Sequence, residues 1–109
     1  MRSPYLKKQG STKVLMVDDH PFVMLAGELH NPVPAVKEAM EASCRKAAEL
    51  GMNSVIATLS WELIEPEEGC FDFSTVDMVI DIARKHGLKL ELIWFGSWKN
   101  AQCAYAPAW

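Results

Sequence analysis

Short apolar runs alternate with polar turns through the first third of the chain. Val14, Leu15, Met16 and Val17 form one run, and Asp18, Asp19, His20 and Pro21 interrupt it. Phe22, Val23, Met24, Leu25 and Ala26 form a second. Two short runs around a four-residue polar turn predict a β-hairpin leading into a buried strand. Upstream, residues 1–12 are polar and carry Pro4, Gly10 and Ser11, which reads as a flexible lead-in.

From Pro34 the period changes. Val36, Met40, Cys44, Ala47 and Leu50 recur at spacings of three and four, which draws one apolar stripe along a helix. Pro34 suits its first turn and Gly51 its C′ position. Ser54 to Leu59 then reads as a strand buried on both faces. A Glu-rich loop with Pro66 and Gly69 follows. Its Glu67 and Glu68 read as solvated, and Phe71 and Phe73 as pinned to the core. A second helix opens at Ser74, where Asp77 three residues on gives a capping-box pattern. Val76, Val79, Ile80 and Ala83 supply its apolar face, Gly87 its stop, and Leu88 to Phe95 the next strand.

The two helix–glycine–strand units resemble each other. Gly51 and Gly87 lie 36 residues apart, and the strands after them run into Ser60-Trp61 and Ser97-Trp98. A helix between two strands returns the chain to the same edge, so the strands run parallel. Both Ser-Trp pairs then fall at one rim of an α/β sheet, where parallel folds place their ligands.

Composition narrows the class. The chain has 109 residues, half of them hydrophobic, which allows one core and excludes a disordered tail. Eleven basic against 14 acidic residues give a net charge of −3, so no nucleic-acid partner is expected. No apolar run is long enough to span a bilayer, so no membrane partner is expected either. Arg2, Lys7 and Lys8 precede no apolar stretch, so no secretory signal is read and a cytoplasmic location is favoured. Cys44, Cys70 and Cys103 are odd in number and widely spaced, with no zinc-like Cys/His pairing. They read as reduced thiols, and no metal or cofactor is implied.

Three segments at strand ends hold the candidate chemistry. Glu28, His30 and Asn31 can bond a polar ligand at the end of the first strand. Trp61 and Glu62 stand where the next strand emerges. An indole can cover the C–H face of a sugar ring while a carboxylate accepts from its hydroxyls. Trp98, Lys99 and Asn100 follow the third strand. Trp94 is assigned to the core and Trp109 to packing against a further helix.

The run from Lys13 to Pro21 resembles the opening of a response-regulator receiver domain, whose acidic pair binds Mg²⁺. The later strands lead into Ser60-Trp61 and Ser97-Trp98 with no phosphoacceptor Asp, and a turn is the preferred reading of Asp18 and Asp19.

From about residue 14 to 109 the segments together resemble the start of a glycoside hydrolase barrel. The nearest pattern is family 35, the β-galactosidases, in a bacterial β-galactosidase-like branch; the family 42 catalytic domain is related. Trp61, Glu65-Pro66, Gly69 and Phe71-Asp72-Phe73 carry the sharpest part of the likeness. Gly27 to His30, the Gly51-Met52-Asn53 turn and Pro107-Ala108-Trp109 extend it. Asn31 departs from the Tyr common in family 35. The stretch Ser97, Trp98, Lys99, Asn100 departs from its Cys-Ala-Glu, although the bacterial branch carries such a stretch.

The resemblance implies that residues 13–109 are the N-terminal part of a TIM (β/α)₈ barrel: its first three parallel strands and two helices, preceded by a β-hairpin, with the barrel incomplete. It implies a retaining glycosidase acting on β-galactosides or similar β-glycosides. Glu28, His30, Asn31, Trp61, Glu62, Trp98, Lys99 and Asn100 would belong to a sugar-binding rim. The family's acid/base follows an Asn at the end of the fourth strand, and no Asn-Glu pair occurs in this sequence. No catalytic residue is therefore assigned. The expected partners are a carbohydrate substrate and either the remainder of the barrel or a second copy. A non-catalytic sugar-binding remnant is the competing reading.

Overall fold

The computed structural model describes residues 3–98 and 104–109. Two small sheets divide the chain. Strands β1 (Tyr5–Gln9), β2 (Thr12–Val17) and β3 (His20–Pro21) form an antiparallel meander. Strands β4 (Ala26–Glu28), β5 (Ser54–Ser60) and β6 (Lys89–Phe95) form a parallel sheet in that order. Between them run a 3-10 turn (Val33–Ala35), helix α1 (Lys37–Glu49), a single-turn helix α2 (Trp61–Ile64) and helix α3 (Ser74–Lys85). Three parallel strands with crossover helices form an arc of an α/β barrel, in which β4 and β6 are the edge strands among the described residues.

The N-terminal hairpin is longer and earlier than the pattern predicts. The expected flexible lead-in is corrected at Tyr5, where β1 begins and pairs with β2 from Tyr5–Met16 to Gln9–Thr12. The β2–β3 turn is only two residues long: Asp18 and Asp19 both take positive φ, 50° and 63°. That conformation suits a tight hairpin, and Asp is among the few side chains that tolerate it. Asp18 Oδ2 accepts a 2.7 Å bond from Lys89 Nζ, which ties the hairpin to the start of β6.

The second apolar run is not a buried strand from Phe22. Val23 is 76% exposed, and regular pairing begins at Ala26. Asn53 holds this irregular entry. Its Oδ1 accepts from the Leu25 N–H at 2.8 Å, and its Nδ2 donates to the Val23 carbonyl at 2.8 Å. The Leu25 carbonyl in turn accepts from the Asn53 N–H at 3.1 Å.

Both long helices end in the same way. Gly51, at φ +80°, donates to Ala48 O, and Met52 donates to Ala47 O. Gly87, at φ +68°, donates to Arg84 O, and Leu88 donates to Ala83 O. These are Schellman closures, in which a left-handed glycine satisfies the last carbonyls and turns the chain into the next strand. The helix starts differ from expectation. The capping box at Ser74 does not form, because Ser74 is already helical. The Asp72 carboxylate instead accepts from the Ser74 N–H at 2.8 Å.

The core lies between β5 and the helices. Met40, Cys44 and Ala47 of α1 and Val79, Ile82 and Ala83 of α3 close over Val55, Ala57 and Leu88. Of the α1 stripe, Val36 and Leu50 lie outside this contact and are exposed. In the parallel register Val55 pairs with Leu90, Ala57 with Leu92 and Leu59 with Trp94, so these six side chains share the helix-side face. Trp94 is therefore not core but 53% exposed, because its row on the edge strand runs past the cover of α3. Phe71 and Phe73 also leave the core. They are 60% and 55% exposed and stack on each other at 6.0 Å. The loop is pinned through its backbone instead, by Asp72 N–H to Ile64 O at 2.8 Å.

Met40 is fully buried in this core. Met40→Ala is expected to cost about 2–5 kcal/mol, read as a lower urea midpoint, through the cavity left between α1 and β5.

Candidate functional site

Parallel pairing puts the carboxyl ends of the three strands on one side of the sheet. Glu28 ends β4, Ser60 ends β5 and Phe95 ends β6, with Ser60 directly opposite Phe95. Pairing on the first strand continues past its end, since the Leu29 N–H donates to Ile56 O at 2.9 Å. Glu28 shares a register row with Ile56 and Glu91, on the face opposite the helices. It is exposed there, as is His30 in the loop beyond.

Asn31 is fixed by its backbone. Thr58, buried near the end of β5, donates its hydroxyl to the Asn31 carbonyl at 2.8 Å. Asn31 and Glu62 line a common cavity of about 440 Å³ at this rim, together with Thr58, Ser60, Leu63 and Tyr105. The sequence pattern gave no sign of Thr58 or Tyr105. The buried hydroxyl at 58 sits in a run read as apolar, and Tyr105 lies in an aperiodic tail. Its backbone bridges two segments: Tyr105 N–H donates to Gly96 O at 3.2 Å, and Glu62 N–H donates to Tyr105 O at 2.8 Å. The tail thereby links the segments that leave β5 and β6. The Tyr105 ring also packs on Phe95, with centroids 4.9 Å apart.

Trp61 does not line that cavity. The half-buried indole forms its own cluster in the loop after β5. Its Nε1 donates to Glu65 Oε2 at 2.7 Å, and the Gly69 N–H donates to Glu65 Oε1 at 2.9 Å. Trp109 meets it edge-on, with centroids 5.9 Å apart and planes at 90°, and donates its own Nε1 to the Glu65 carbonyl at 3.2 Å. Trp109 therefore packs on Trp61, where the sequence suggested a further helix. The indole and amide donors hold the Glu65 carboxyl below the usual glutamate range. Trp98 stands three residues beyond β6, 69% exposed. Lys99 and Asn100 lie outside the described residues.

The structure thus brings Asn31 and Glu62 to one cavity and seats Trp61 in an aromatic corner beside α2. Glu28, His30 and Trp98 stand at or beyond strand ends of the same rim, outside the cavity lining. Asp18 and Asp19, the acidic pair of the receiver-like motif, lie in the hairpin turn, with Asp18 paired to Lys89. Among the described residues, no cluster of three or more His, Cys, Asp or Glu side chains could hold a metal ion.

Comparison with known proteins agrees with this geometry. Residues 30–109 match the Glyco_hydro_42 family, described as β-galactosidase. A β-galactosidase from Geobacillus kaustophilus, bgaB, is 33% identical over 81 residues, covering 73% of this chain and 11% of the relative. The β-galactosidase BbgII of Bifidobacterium bifidum is 36% identical over 64 residues, covering 58% of this chain and 9% of the relative. The chain thus spans about a tenth of the length of these relatives. Among solved structures, the exo-β-1,4-mannosidase Op5Man5 from Opitutaceae bacterium strain TAV5 superposes with a TM-score of 0.68 at 18% identity, over 82% of this chain and 17% of that one. GH5_18 from Bifidobacterium longum gives 0.61 at 19% identity, over 79% and 23%. These likenesses show the fold: a partial α/β arc of the TIM-barrel glycoside hydrolases, without barrel closure. The family match also corrects the motif reading, which put family 35 nearest; the match is to family 42.

Thr58→Val keeps the shape at position 58 but leaves the Asn31 carbonyl without its donor. It is expected to cost about 1–3 kcal/mol in chemical denaturation and to speed amide exchange at Val33, whose N–H closes the turn on His30.

Proposed function

The chain belongs to glycoside hydrolase family 42, the β-galactosidases, and on that premise we propose that it is part of a retaining glycosidase cleaving terminal β-galactosides or similar β-glycosides. It supplies one arc of the sugar-binding rim. The observation that carries this reading is the parallel register, which sets the ends of β4, β5 and β6 side by side, and Asn31, Trp61 and Trp98 follow those ends in the chain. An indole beside hydrogen-bonding side chains matches the amphipathic surface of a pyranose ring.

In this reading Asn31 and Glu62 bond sugar hydroxyls from the rim cavity, and Glu28 and His30 do so from the end of β4. Trp61 and Trp98 cover ring faces, and Lys99 and Asn100 extend the rim after β6. A retaining mechanism needs two carboxyl groups about 5–5.5 Å apart, one as acid/base and one as nucleophile. The resemblance noted in the sequence implies that the acid/base stands on a later strand than the three present here, so in this reading the arc binds and orients while residues elsewhere in the barrel cleave.

Calorimetric titration of the 109-residue chain with methyl β-galactoside tests the rim directly. Weak binding that disappears in Trp61→Ala or Trp98→Ala is expected, with no hydrolysis of nitrophenyl β-galactoside. Heat-silent mixing at millimolar sugar would remove the rim reading, and turnover by the pure chain would overturn the division of labour. The same preparation should self-associate on size exclusion, because the seven-residue strand β6 leaves one backbone edge unpaired among the described residues.

A further inference from the structure

We propose that Glu65 is a positioning residue that sets the angle of the Trp61–Trp109 corner. The inference deepens the sugar-rim reading and rests on it for the choice of ligand class, a pyranose.

Four bonds converge on this one residue. Its two carboxylate oxygens are divided between the Trp61 indole N–H, at 2.7 Å, and the Gly69 amide, at 2.9 Å. Its carbonyl accepts from the Trp109 indole at 3.2 Å, and its own N–H donates to Trp61 O at 2.8 Å. An indole held only by packing can pivot about χ1 and χ2. An indole whose N–H is tied to an anion cannot do so without breaking a charge-assisted bond. The second oxygen, bonded to Gly69, keeps the carboxylate from following the ring. The edge-on contact at 90° then places Trp109 against a ring of fixed orientation. Both indole N–H groups are spent inside the protein, so the corner meets a ligand with aromatic surface rather than with indole donors. Such a surface suits the C–H face of a sugar.

A glutamine at this position cannot replace the carboxylate fully. Its amide offers one acceptor oxygen and one donor nitrogen, while Trp61 and Gly69 both donate. One of the two bonds is lost whichever way the amide turns.

The test follows the Trp61 indole N–H by ¹H–¹⁵N NMR in the 109-residue chain, with Trp61→Phe to assign the resonance. In the unaltered chain its shift should follow one carboxyl titrating below the ordinary glutamate range, since the bonded anion resists protonation. The bond is complete above that range and is lost as pH falls through the lowered value. Glu65→Gln should abolish the titration and speed indole exchange roughly tenfold. A Trp61 resonance indifferent to pH in the unaltered chain overturns the proposal, even if Glu65→Gln fails to fold. So does a folded Glu65→Gln chain with unchanged exchange. In a parallel fluorescence titration with methyl β-galactoside, run well below the melting temperature of both proteins, Glu65→Gln should weaken binding roughly tenfold. If the unaltered chain binds no galactoside, the rim reading fails while the NMR result still decides whether Glu65 orients the ring.

Discussion

The parallel register of β5 with its two neighbours is the constraint on which the rest depends. β5 is the central strand, hydrogen-bonded along both edges, with Val55 and Ala57 sealed against α1 and α3. Because β4 and β6 run the same way, their ends and everything after them are delivered to one side. A slip of one residue would turn Val55 and Ala57 away from the helices and bring Ile56 and Thr58 to face them. The hydroxyl that steadies the Asn31 loop would then point into an apolar layer, so core and rim are set by one register.

The repeated glycine closures show how sequence reaches that register. Gly51 and Gly87 end their helices with the same pair of bonds, and each closure aims the chain at its strand. This much was legible, because a left-handed position after an apolar stripe has a strong residue preference. The helix period also identified Met40, Cys44 and Ala47 as core. It overreached at Val36 and Leu50, since periodicity marks a face but not how far its cover extends. The same limit explains Trp94. Trp94 reads as core on its apolarity alone, whereas exposure on an edge strand depends on what packs beside it.

Rim chemistry was legible as a set of segments but less so as contacts. The Ser-Trp recurrence located the ends of β5 and β6. It could not separate the Asn31–Glu62 cavity from the Trp61 corner, because these divide through backbone bonds from Tyr105 and through the Glu65 carboxylate. The family motif includes Glu65-Pro66, yet only coordinates reveal that the glutamate turns inward to its own loop. The lead-in was misread for a related reason: Tyr5 to Gln9 becomes a strand only because Thr12–Val17 pairs with it.

The contact between Asp18 and Lys89 spans 71 residues and joins two sheets that otherwise belong to different parts of the chain. Both side chains are about half exposed, so dissolved ions can screen them. Added electrolyte therefore loosens the hairpin's grip on β6 while the apolar seal between β5 and the helices is spared. The molecule carries a joint that responds to ionic strength at the base of the sheet, on the side away from the rim.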